Sequence, residues 1–207
     1  MGFDNSVKFY SNGFIVKWVS SEYSNKYRCP KSVFDYYGIE GDNWPIDKYT
    51  EGVDKEELEY LQNYLWENIE SRVDDIDFVW VCNDINFIKR YVDVCKKANM
   101  KIEILFCESE KPFPKYVVNS HEESNLQFIG YDYAYPSADY YSSIFNEIPR
   151  TNEMRGIKLN QFGLFSNENE VLEFVNLRDK LTDINQFVGF EKGDFIIYKL
   201  WRYNGEF

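Results

Sequence analysis

Two apolar runs separated by one helical pattern set the strongest limit on how this chain can fold. Ile76 to Cys82 (IDFVWVC) and Met100 to Cys107 (MKIEILFC) are β-rich and short, as buried strands are. Between them, Phe87, Ile88, Tyr91, Val92 and Cys95 recur at helical spacing. Asn83 or Asp84 is placed to cap that helix, Lys96 and Lys97 suit the negative end of its dipole, and Asn99 suits a left-handed exit. Strand, helix and strand in about thirty residues predict a βαβ unit. Its strands would be parallel neighbours joined by a right-handed crossover.

The remaining elements fit the same class. Phe14 to Val19 alternates as a strand does, entered through the turn Ser11-Asn12-Gly13. Cys29 to Gly38 reads as a short helix and Glu40 to Gly52 as loop. Asp54 to Val73 is the clearest helix. Asp54 stands at its N-cap with Glu57 three residues on, and Leu58, Leu61, Leu65 and Ile69 form one apolar stripe. Leu126 to Tyr131 and Asp194 to Tyr203 read as strands. Helices are expected from about Ala138 to Ile148, after the Pro136-Ser137 start, and from Asn167 to Leu181. The predicted fold is therefore α/β: one domain over residues 1–207, with helices packed on a mixed sheet containing at least one parallel βαβ unit.

Charge is distributed unevenly. The chain has 35 acids and 23 bases. From Glu40 to Asp84, fourteen acids face only Lys48, Lys55 and Arg72, a net of −11 out of −12 for the whole chain. Concentrated charge raises the local potential and speeds encounter with an opposite partner. It also keeps a chain with 17 Phe, 17 Tyr and 5 Trp in solution. Bases are scattered with no stripe, which argues against direct binding to a nucleic-acid backbone.

No catalytic signature is present. There is one histidine, His121, and no HExxH, Walker loop, dinucleotide fingerprint or nucleophile elbow. The Asp74-Asp75-Ile76-Asp77 run lacks the glycine and distal glutamate of a calcium loop. Cys29, Cys82, Cys95 and Cys107 form no close pair and are expected as buried free thiols. No catalysis, metal or cofactor is therefore expected. The start of the chain has no apolar core of signal-peptide length, and no run approaches the length of a membrane span. Met1-Gly2 with Ser6 fits the acylation pattern superficially, without the polybasic second signal that stable anchoring needs. The expected location is the cytoplasm, with no membrane partner.

Two segments offer a binding surface. On the Asp54–Val73 helix, Glu56, Glu59, Glu67 and Glu70 fall mostly off the leucine stripe, with Tyr60 and Tyr64 flanking it. In GYDYAYPSADYY (130–141), Tyr131, Asp132, Tyr133 and Tyr135 read as a rim in which tyrosine supplies contact area and aspartate specificity, around a Pro-Ser helix start. That stretch, continuing through Ser142-Ser143-Ile144, together with small size, acidity and the missing catalytic motif, resembles immunity proteins of bacterial polymorphic-toxin systems. The resemblance implies a cognate toxin, possibly basic, bound in the cytoplasm with its active site occluded. Two other readings stand beside it. One is an enzyme or small-ligand binder using the carboxyl end of a parallel sheet near Asp84 and Cys107. The other is an acidic mimic of nucleic acid.

Overall fold

The computed structural model describes residues 7–18, 52–68, 82–100, 102–111, 125–135, 141–148, 152, 154–183 and 195–205. In chain order these form β1 (Tyr10–Trp18), α1 (Lys55–Asn68), α2 (Ile85–Lys97), β2 (Ile102–Ser109), β3 (Leu126–Tyr135), β4 (Tyr141–Ser142), α3 (Ser143–Asn146), α4 (Glu168–Asp183) and β5 (Ile196–Tyr203).

The strands make one sheet in the order β1-β2-β5-β3-β4, and every pairing is antiparallel. This overturns the mixed sheet with a parallel βαβ unit. Phe14 of β1 bonds Cys82 through Phe14 N to Cys82 O at 2.7 Å and Cys82 N to Phe14 O at 2.8 Å. The same Phe14 pairs with Phe106 of β2 on its other side. β1 thus occupies the place next to β2 that the crossover rule assigned to the strand ending at Cys82. Ile76 to Val81 lie outside the described residues, as do the expected helix at Cys29–Gly38, His121 and the Asp74–Asp77 run.

Alternation along the strands serves two cores. Phe14, Val16 and Phe106 face α1 and α2, with Ile104, Trp201 and Tyr203 packed beside them. Ile15, Leu105, Cys107 and Leu200 face the other way, toward Val171, Phe174 and Leu181 of α4. The result is a helix layer on each face of an antiparallel sheet. At one register a row of rings crosses four strands: Phe14, Phe106, Trp201 and Phe128. Phe14 and Phe106 lie 5.1 Å apart and Trp201 and Phe128 5.3 Å apart, within the range of favourable tilted ring pairs.

Local rules account for the helices. Asp54 Oδ1 accepts from Glu56 N at 2.8 Å and Glu57 N at 3.2 Å, capping α1. Asp84 does the same for α2, which buries Phe87, Ile88, Tyr91, Val92, Val94 and Cys95 and ends at Asn99 with φ +55°. Asn167 Oδ1 accepts from Glu170 N at 3.0 Å at the start of α4. The helix expected over 138–148 is shorter. Tyr141 and Ser142 pair with Tyr135 and Ala134 as a hairpin strand, and helix begins only at Ser143. The expected Ser11–Gly13 turn is also corrected: it is a β-bulge inside β1.

Two glycines admit close neighbours. Gly13 (φ +152°) and Gly130 (φ +145°) each sit at a bulge. A Cβ on Gly13 would stand 2.6 Å from Cys82 O, and one on Gly130 would stand 2.6 Å from Leu164 Cβ. Each glycine precedes the residue that carries an isolated bridge: Phe14 to Cys82 and Tyr131 to Phe165.

On the α4 side, Arg178 and Glu147 form a buried, bidentate ion pair with Nε to Oε2 at 2.6 Å and Nη2 to Oε1 at 2.8 Å. The guanidinium also lies 3.9 Å from the Phe195 ring centroid. Removing one member leaves a desolvated charge, whereas removing both does not. Arg178→Met is therefore expected to cost about 3–5 kcal/mol. Adding Glu147→Leu should restore much of that loss in urea unfolding; a double variant as unstable as the sum of the two singles would contradict this account.

Candidate partner-binding surface

α1 meets the sheet through Leu58 and Leu61, which are buried. That fixes its rotation and turns Glu56, Glu59, Tyr60 and Glu67 outward, where all are exposed. Tyr60 is the one exposed large hydrophobic side chain among the described residues, at 41 %. Its ring is covered on one side by Arg90 of α2, whose guanidinium carbon stands 3.7 Å from the centroid. Arg90 also donates to Glu57, Nε to Oε1 at 2.9 Å and Nη2 to Oε2 at 2.6 Å. The Arg90 hydrogen bonds hold the Glu57 carboxyl below its usual range against the opposing effect of burial. Because this pair is half in solvent, it holds geometry more than it adds stability.

Tyr64 is placed differently from its expected role. Its ring stacks on Phe87 with centroids 4.0 Å apart and planes 15° from parallel, and its hydroxyl donates to Asp84 Oδ2 at 3.0 Å. It belongs to the α1–α2 seam. Burial first, then the nearby Cys82 and Asp84, push the phenol above its ordinary value. Glu70 lies outside the described residues.

The tyrosine-rich stretch does not form a rim where it is described. Tyr131, Asp132 and Tyr133 are buried on β3, between β5 and β4. Tyr133 packs against Phe195 at 5.4 Å and Phe174 at 6.1 Å, and burial raises its phenol to about 12. Tyr131 sits against Phe128 and Phe9, at 5.2 and 5.7 Å. Asp132 Oδ1 accepts from Ser142 Oγ and Tyr133 N, both at 2.8 Å. Tyr135 is the last residue of β3, and its side chain is outside the described set.

The chemistry proposed for Asp84 and Cys107 loses its premise, because antiparallel strands share no carboxyl end. Asp84 Oδ1 accepts from Asn86 N and Phe87 N at 2.9 and 3.2 Å while Oδ2 holds Tyr64. Cys82, Cys95 and Cys107 are buried free thiols. Burial raises Cys95 to about 12 and Cys107 further, so both stay neutral thiols. Among the described residues no three His, Cys, Asp or Glu side chains converge to hold a metal, and no helix is long and apolar enough to cross a membrane. An open groove of about 450 Å³ runs beside α4 over Phe165, Phe174 and Leu177, with Lys158 and Glu173 at its rim. Its Glu170 is engaged by Ser166 N and Asn167 Nδ2.

Sequence reasoning placed Lys96 and Lys97 at the end of α2 but missed the exposed Lys89 and Arg90 and the Arg90–Glu57 contact. Nothing in helical spacing ties Arg90 to a carboxylate 33 residues away. Comparison with family models, with curated proteins and with solved structures finds no match.

Asp84 serves two helices at once, so its loss should be felt in both. Asp84→Ala is expected to cost about 2–3 kcal/mol, a cap plus a side-chain hydrogen bond, while Asp84→Asn costs less. The raised Tyr64 phenol adds a pH signature. A folded value above the unfolded one gives stability that is present below about pH 10 and lost as pH rises through the folded value. Tyr64→Phe should flatten that alkaline loss in thermal melts; an unchanged alkaline limb would show that the phenol is not coupled to folding.

Proposed function

We propose that this chain is a non-catalytic immunity-type protein that binds a basic protein toxin and neutralises it by occluding its active site. The observation that carries the reading is the division of labour on α1. Leu58 and Leu61 are committed to the core, and Glu56, Glu59 and Glu67 surround the exposed Tyr60 on the opposite side. The acids steer a basic partner into contact, which is a rate effect, and the aromatic ring contributes to residence time. Tyr60 suits that task, because Arg90 already fixes its ring and little rotamer entropy is left to lose on binding. Tyr64, Tyr131, Asp132 and Tyr133 have no part in this revised surface, since their side chains are spent in the seam and the interior.

The test needs a cognate toxin domain, to be sought among the neighbouring genes, with association measured by stopped flow across a salt series. Changing Glu56, Glu59 and Glu67 to Gln together is expected to slow association about tenfold or more at low salt, and little at high salt. Tyr60→Ala is expected to weaken binding by about 1–3 kcal/mol, mainly through faster dissociation. Equal low-salt association rates for parent and Gln variant, together with unaltered Tyr60→Ala affinity, would remove α1 from the recognition surface.

A further inference from the structure

The helix layer carries both signs of charge, sorted by helix. From Asp54 to Asn68, Asp54, Glu56, Glu57, Glu59 and Glu67 stand against Lys55 alone. Counted likewise from its N-cap, α2 carries Lys89, Arg90, Lys96 and Lys97 against Asp84 and Asp93. The two ridges therefore carry −4 and +2 and lie side by side on one face of the sheet. They also run antiparallel. Tyr64, late in α1, stacks on Phe87 at the start of α2, while Glu57, early in α1, bonds Arg90 a turn further along. The acid-rich start of α1 thus lies toward the lysine-rich end of α2.

From this arrangement we infer that the α1–α2 face is a self-association surface whose occupant is a second copy of the chain, related by a two-fold axis parallel to the helices and midway between them. Rotation about that axis lays α1 of each copy over α2 of the other without reversing their ends. Asp54, Glu56 and Glu59 then face the second copy's Lys96 and Lys97, twice by symmetry. A two-fold across the helices would instead lay acid on acid, which like-charge repulsion disfavours. On the midline, Glu57 neutralises Arg90, so the axis carries no exposed excess of charge, and Tyr60 supplies apolar contact there. Two helices of this length cover about 20 by 20 Å, or about 400 Å² per copy. That is roughly half of the ~800 Å² per partner in a standard interface, so the association is weak and salt-sensitive. This inference does not require the proposed function, but it uses the same face, so a second copy and a toxin would compete for Glu56, Glu59 and Tyr60.

Sedimentation of the full chain over a concentration series decides the matter. At about 0.1 M salt, where charges reach about 10 Å, the facing ridges still attract while the net −12 of each copy is screened, and a monomer–dimer equilibrium is expected; at about 1 M, where charges reach about 3 Å, monomer alone. Glu56→Lys with Glu59→Lys, and separately Lys96→Glu with Lys97→Glu, should each raise the dimer dissociation constant about tenfold or more. An equimolar mixture of the two variants should recover dimer, since each now complements the other. Glu173→Lys with Asp179→Lys, exposed on α4, changes net charge equally and should associate as the parent does. Monomer at every concentration in about 0.1 M salt, a mixture that stays monomeric, or equal weakening by the α4 pair would each overturn the inference.

Discussion

The sheet depends on β5 reaching its centre. The last strand in chain order is inserted between β2 and β3 and hydrogen-bonded on both sides. Ile196, Ile197, Tyr198 and Leu200 are buried there, and polar side chains reinforce the register. Trp201 Nε1 donates to Glu108 at 2.6 Å, Lys199 stands 3.4 Å from the same carboxylate, and Arg202 pairs with Glu103. Without β5, β1 and β2 would form one ribbon and β3 and β4 another, with no backbone pairing between them. Such non-local pairing closes long loops before it is rewarded, which makes folding slow.

The three long helices were legible in the sequence because their signals are local, whereas the helix read over 138–148 gave way to β4 and the four-residue α3. Asp54 and Asp84 cap where their spacing says they should, and all five residues assigned to the inner face of α2 are buried. While β4 was read as helix and the start of β1 as a turn, the positions of β2, β3 and β5 were legible for the same reason. Strand neighbours were not, because the βαβ reading needed Cys82 and β2 to be adjacent, and periodicity does not say which strand takes that place. β1, far earlier in the chain, took it. The outward side of α1 was readable from the spacing of its leucines. The fate of the tyrosine-rich stretch was not. An interior strand covered on both faces buries alternate residues of both kinds, and Asp132 finds Ser142 ten residues away.

Charge sorting in the helix layer follows from ordinary helix electrostatics. Acids gather near the positive start of α1 and lysines near the negative end of α2, each stabilising its own dipole. Antiparallel packing then brings the two groups to the same end of the layer. The recognition properties argued for this face are thus a by-product of how each helix is individually stabilised, with Arg90 and Glu57 as the stitch between them.

The paired glycines have a consequence for solubility at the strand borders. β1, and β3 where it runs ahead of its short pairing with β4, would each offer outer backbone groups to any other chain in a crowded cell. At Gly13 and Gly130 the strand instead bulges, and one of the protein's own segments, at Cys82 or Phe165, bonds the very next residue. A bulge twists the border and the bridge occupies it, so an incoming strand finds neither a flat template nor a free run of donors. The absence of a methyl group at two positions thus serves as a guard against templated aggregation in a sequence otherwise rich in β-forming aromatics.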